Sequence, residues 1–153
     1  MTQTSSETRS VVIEREIAHP PEKIWRALSQ PHLIQEWLMK NDFAPVLGHR
    51  FKFTDHWGSV DCEVLAVDPE RTLSYTWSAM GVVTVVTWTL TPIGAGKDGG
   101  KGAGTLLRME HSGFSQGQRQ AYEGAKLGWA GFLGKLEQLL TRVDSGSSAA
   151  QEP

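Results

Sequence analysis

The chain has 153 residues, 39% hydrophobic and 21% charged, with a formal net charge of −2. That suits one globular domain large enough to bury roughly 70% of its unfolded surface, and it argues against a strong electrostatic footprint for nucleic acid or anionic membrane. The single cysteine, Cys62, rules out an intrachain disulfide, as expected in a reducing, cytoplasmic setting.

Residues 1–9 read as a loose leader. The opening "MTQTSSETRS" is polar and shows no apolar core of a secretory signal. "SVVIEREI" (Ser10–Ile17) is a β-branched, extended run. "AHPPEKIWRALSQPHLIQEWL" then predicts two short helices. Pro21 suits a first helical turn, Ile24, Trp25 and Leu28 recur at helical spacing, and Pro31 ends one helix and starts the next. In the second, Leu33 and Trp37 are four apart, as are Ile34 and Leu38.

Strands follow. "HRFKFTD" alternates Phe51 and Phe53 against Arg50 and Lys52, the pattern of a half-buried strand. "SVDCEVLAV" (Ser59–Val67) is apolar on both faces, so its facing is ambiguous. "DPER" (Asp68–Arg71) is a turn. "TLSYTWSA" places Leu73, Tyr75 and Trp77 on one face, and "VVTVVTWTL" does the same with Val86, Trp88 and Leu90, leaving Thr87 and Thr89 on the other. "GAGKDGGKGAG" (Gly94–Gly104) lacks the spacing of a phosphate loop and reads as a hairpin connection. In "GTLLRMEHSGF", Leu107, Met109 and His111 alternate against Arg108 and Glu110. Short links between these runs predict antiparallel neighbours.

The last helix is expected from near Gln118 to near Val143, with Ala125, Trp129, Phe132, Leu133, Leu136, Leu139, Leu140 and Val143 on one broad face. It contains Gly124, Gly128, Gly131 and Gly134, each costing about 1 kcal/mol against alanine in a helix interior. The first three form a smooth strip along one flank, predicting close approach of the short helices or of a ligand. Residues 144–153 read as a disordered tail, leaving one domain over 10–143. The order of elements predicts an α+β fold: a curved antiparallel sheet of about six strands around the long C-terminal helix, with two short helices after strand 1.

"PPEKIWRALSQPHLIQEWL", "GHRFKF", "EVLAVDPERTLSYTW", "VTWTLTP", "GTLLRMEHSGF" and "GWAGFLGKLEQLL" occur in this order over about residues 10–142. Together they resemble the helix-grip superfamily of START domains, birch-pollen-allergen-like proteins and polyketide cyclases (SRPBCC). The branch they resemble most is the one similar to the activator of heat-shock protein 90 ATPase. The resemblance implies a cavity between sheet and long helix, walled by concave strand faces and both sets of helices. Mapped onto this sequence, that selects Trp37, Phe53, Tyr75, Trp77, Trp88, His111 and Trp129, and the smooth helix flank adds Gly128. The resemblance does not specify a ligand.

Constellations for catalysis are sparse. His19, His32, His49, His56 and His111 form neither a zinc pattern nor a metalloprotease motif, and no nucleophile elbow is present. His111 shares the inward face with Leu107 and Met109, so it is either a satisfied core histidine, bonded to a backbone carbonyl or to Asp61 or Glu63, or a group that orients a ligand or moves a proton. The expected function is binding of a small apolar or aromatic molecule, with no cofactor, no metal, no nucleic acid and no membrane insertion. Two alternatives stand beside it. One is a protein-interaction module regulating a chaperone ATPase, for which the residues show no clear docking face. The other is a cyclase- or hydrolase-like enzyme using His111 with help from Asp61 or Glu63.

Overall fold

A computed structural model describes residues 9–56, 58–79, 82–93 and 104–150. Strand β1 (Arg9–Ile17) leads into α1 (Pro21–Ser29) and α2 (Pro31–Trp37). Then come β2 (Lys40–Asn41), β3 (Arg50–Asp55), β4 (Gly58–Asp68), β5 (Thr72–Ala79), β6 (Val82–Ile93) and β7 (Gly104–Phe114), a 3₁₀ turn (Gln116–Gln118) and the long helix α3 (Arg119–Ala150). The strands form one antiparallel sheet in the order β1-β7-β6-β5-β4-β3-β2. Strands β2 to β7 run as a meander, and β1 closes on the last of them. This is the helix-grip architecture, a curved sheet around α3. The seventh strand is β2, whose two residues are too few to show alternation in sequence.

The proline between the short helices has a traceable consequence. Pro31 has no N–H to offer the carbonyl of Ala27 four residues back. The indole of Trp37 donates to that oxygen instead, at 2.9 Å. Trp37 thereby ties α2 to α1 and carries its ring into the core, edge-on to Trp88.

The inward residues of β3, β5, β6 and β7 are those that alternation selects, and all are buried or half-buried. The ambiguous strand β4 is explained by a bulge. Val60, Cys62 and Val64 face the core, the register with β5 then shifts between Val64 and Ala66, and Leu65 is left exposed while Val67 packs inward. One extra residue switches which parity is apolar. A second bulge lies in β7, where Gly113 at φ +103° is the unpaired residue opposite Arg9 and Ser10. Strict alternation would aim Phe114 outward; the bulge turns it in beside His111, ring centroids 4.7 Å apart.

Helix α3 starts from a reciprocal cap. The backbone N–H of Ser115 donates to Gln118 Oε1 at 2.8 Å, and the Ser115 side chain accepts in return from the Gln118 backbone. Trp129, Leu133, Leu136, Leu139 and Leu140 are buried against the sheet and short helices. The helix continues to Ala150, past the expected end near Val143. The tail expected from Asp144 overlaps this helix as far as Ala150. Residues 1–8, 94–103 and 151–153 lie outside the described residues, and so the expected leader, glycine-rich connection and last residues of the tail do too.

The glycine strip is also corrected. A Cβ added at Gly124, Gly128, Gly131 or Gly134 would meet nothing within 4 Å. All four sit about 100° or more around the helix from Trp129, so the short helices do not pack against them. Nothing in the structure explains the choice of glycine there.

Candidate functional site

The residues expected to line a central cavity instead fill the centre. Trp88 is 0% exposed and lies within 5.7 Å, centroid to centroid, of both Trp37 and Trp129. Its indole donates to Tyr75 Oη at 3.0 Å. Phe53 stacks between Phe51, Tyr75 and Trp77. Burial pushes the Tyr75 hydroxyl pKa up and the Cys62 thiol pKa up, so both stay neutral. Of the eight expected lining residues, Trp37, Phe53, Tyr75, Trp88 and Trp129 form this packed aromatic core. Gly128 is exposed on a flank of α3.

Trp77 and His111 do line a cavity, displaced toward one end of the sheet. It has a volume of about 190 Å³, opens to solvent, and is walled by Trp77, Ala79, Val82, Thr84, His111, Phe114, Ala121 and Ala125. Strands β5 and β6 supply one wall and β7 the floor. Helix α3 supplies the other wall through Ala121 and Ala125, one turn apart, whose short side chains leave the space open. Two wider depressions, of about 530 and 450 Å³, lie at the Asp68–Arg71 turn and beside Asp55 and His56. Among the described residues no buried polar side chain lines either of them, so size alone does not make either the site.

His111 is 2% exposed and both ring nitrogens are engaged. The Trp129 indole, which can only donate, gives its N–H to Nδ1 at 2.8 Å. That assigns the ring proton to Nε2, which donates to Thr84 Oγ1 at 2.6 Å. Thr84 Oγ1 in turn donates to the Trp77 carbonyl at 3.0 Å. The relay runs Trp129, His111, Thr84, Trp77 and links α3, β7, β6 and β5. Burial pushes the His111 pKa down to about 4, so the ring is neutral at pH 7. The expected carboxylate helpers are absent from it. Asp61 and Glu63 face the convex side and pair with Lys52 and Arg50.

Thr84 and Phe114 escaped the sequence reading although signals for both exist. Thr84 shares the parity of Val86, Trp88 and Leu90, two positions beyond where that alternation was followed. Phe114 ends the H-S-G-F segment, whose glycine is the bulge. Ala79, Val82 and Ala121 gave no signal, because small or aliphatic residues at element ends look like ordinary core. Among the described residues no group of three His, Cys, Asp or Glu could hold a metal ion, and no helix is long and apolar enough to cross a membrane.

The profile of the activator of Hsp90 ATPase homolog 1-like proteins matches residues 18–141. The chain belongs to that family. Among solved structures the chain is similar to protein MLL2253 from Mesorhizobium loti, 58% identical over 88% of this chain and 98% of that one, TM-score 0.80. Bacillus halodurans BH1534 is 26% identical over 86% of this chain and 96% of that one, TM-score 0.73. The Aha1 dimer from Colwellia psychrerythraea shares the fold at 23% identity, over 86% of this chain and 96% of that one, TM-score 0.72. No curated protein matches the chain.

Proposed function

We propose that this protein binds a small, largely apolar molecule in the cavity between the β5–β6 end of the sheet and the first turns of α3. One observation carries the reading: an apolar, solvent-open cavity of about 190 Å³ ends on a buried polar relay beside the packed aromatic core. An apolar cavity of about 150 Å³ takes up benzene, so this one suits a single ring or a short chain. A cytoplasmic location belongs to the same reading, in keeping with the single buried cysteine.

The test is an NMR titration of the full chain with a library of small aromatic and aliphatic molecules. Binders should shift the Trp77 indole and the amides of Thr84, Ala121 and Ala125. Ala125→Leu, which puts a larger side chain into the space while favouring helix, should abolish those shifts. Binders that leave these signals unmoved would displace the reading.

Regulation of a chaperone ATPase is the second reading, favoured by the description of the family. The exposed Val46 and Leu47 would be its docking surface; their loop is tied to β4 by the Gly48 N–H to Val64 carbonyl bond. Stimulation of a purified chaperone ATPase that survives Ala125→Leu but not Val46→Asp with Leu47→Asp would support it. An enzyme built on His111 has less support, because neither ring nitrogen is free to take or give a proton.

A further inference from the structure

The polar relay also constrains what the cavity accepts, an inference that rests on the cavity reading above. Among the described residues the lining contains no carboxylate, ammonium or guanidinium. An ion entering it would lose hydration with no opposite charge to replace it, so the ligand is neutral. Three lining side chains carry polar atoms: Trp77, Thr84 and His111. The Trp77 indole can only donate. The acceptor nitrogen of His111 is taken by Trp129, and its N–H is taken by Thr84. Thr84 Oγ1 accepts that one bond and gives its own proton to the Trp77 carbonyl. A hydroxyl oxygen has two lone pairs, so one remains.

We propose that the cavity selects a neutral hydroxyl-bearing ring or short chain whose O–H donates to Thr84 Oγ1. His111 and Trp129 act as positioning residues: they fix the ring tautomer that directs N–H, rather than a lone pair, at Thr84, and so hold the threonine oxygen as an acceptor. A hydroxyl suits the site better than an amine, since its oxygen can also accept from an indole N–H while an ammonium would bring a charge.

Phenol and toluene, nearly equal in shape, are the probes. Both are titrated by NMR into the full-length protein and into Thr84→Ser and Thr84→Val. Thr84→Ser should keep phenol affinity. Thr84→Val should weaken phenol about tenfold relative to toluene, the size of one net hydrogen bond. Equal effects of Thr84→Val on the two probes would overturn the proposal while leaving the cavity reading intact. Failure of both probes to bind the wild type would remove the cavity reading and this inference with it. If Thr84→Val does not fold, the structure of the wild-type phenol complex decides: the phenol oxygen within hydrogen-bond distance of Thr84 Oγ1 supports the proposal, and an oxygen turned to the mouth overturns it.

Discussion

His111 shows how one side chain couples the site to stability. Folded, its ring is held neutral by burial down to about pH 4; unfolded, it titrates near 6.5. Above pH 6.5 neither state binds the proton and the relay is fully present. Between 6.5 and 4 the unfolded chain binds a proton that the folded chain does not, so stability falls as pH falls. The window is worth about 3 kcal/mol by pH 4. Protonation would also set an N–H at Nδ1 against the Trp129 N–H, two donors face to face. Urea unfolding across pH 4–7 should therefore show stability rising from pH 4 toward pH 7. His111→Phe should be less stable at pH 7, having stranded the Trp129 and Thr84 partners, but should lack this part of the slope. An unchanged slope in the variant would assign the acid sensitivity to other groups.

At the scale of elements, the site depends on a defect in β7. The bulge at Gly113 is what lets His111 and Phe114, three residues apart, share the concave face. Gly113 holds φ +103° and lies 3.5 Å, measured from an added Cβ, from Thr84 Cα. Alanine there would touch Thr84 only in ordinary contact, but it is strained by its backbone. Gly113→Ala should cost about 1–3 kcal/mol in chemical denaturation and broaden the NMR signals of Thr84 and Phe114; a neutral result would mean the bulge relaxes to regular pairing. This element also shows what the sequence could convey. Period-two alternation found the inward faces of β3, β5, β6 and β7, and the Pro21 and Pro31 signals found both short helices, because each pattern is local. The bulges at Leu65 and Gly113 break alternation by one residue, and that break is set by pairing with a neighbouring strand. The packing of the short helices expected along the glycine strip failed for a related reason. Spacing puts Gly124, Gly128 and Gly131 on one flank, but whether anything lies against that flank depends on how the whole helix docks.

For the whole molecule, the aromatic core and the cavity are separate regions joined through Trp77 and His111. The ring contacts among Trp37, Trp88, Trp129, Tyr75 and Phe53 are complete without a ligand, so the fold does not need one to close its centre. The resemblance selects four tryptophans as walls around a space; in three dimensions Trp88 touches both Trp37 and Trp129, and the space beside Trp77 is bounded by Ala79, Ala121 and Ala125. A ligand should therefore stabilise by mass action alone, binding the native state with no change in secondary structure. At a hundredfold excess over its Kd it adds about 2.7 kcal/mol, which for a chain of this size raises Tm by roughly 5–11 °C. The shift should grow with the logarithm of ligand concentration and vanish in Ala125→Leu, whose own Tm stays near that of the wild type. Differential scanning calorimetry of both proteins over a hundredfold range of phenol would measure it. A saturating shift would mean that the unfolded chain binds phenol too, and one that persists with the cavity filled by leucine would place the binding somewhere other than between β5, β6 and α3.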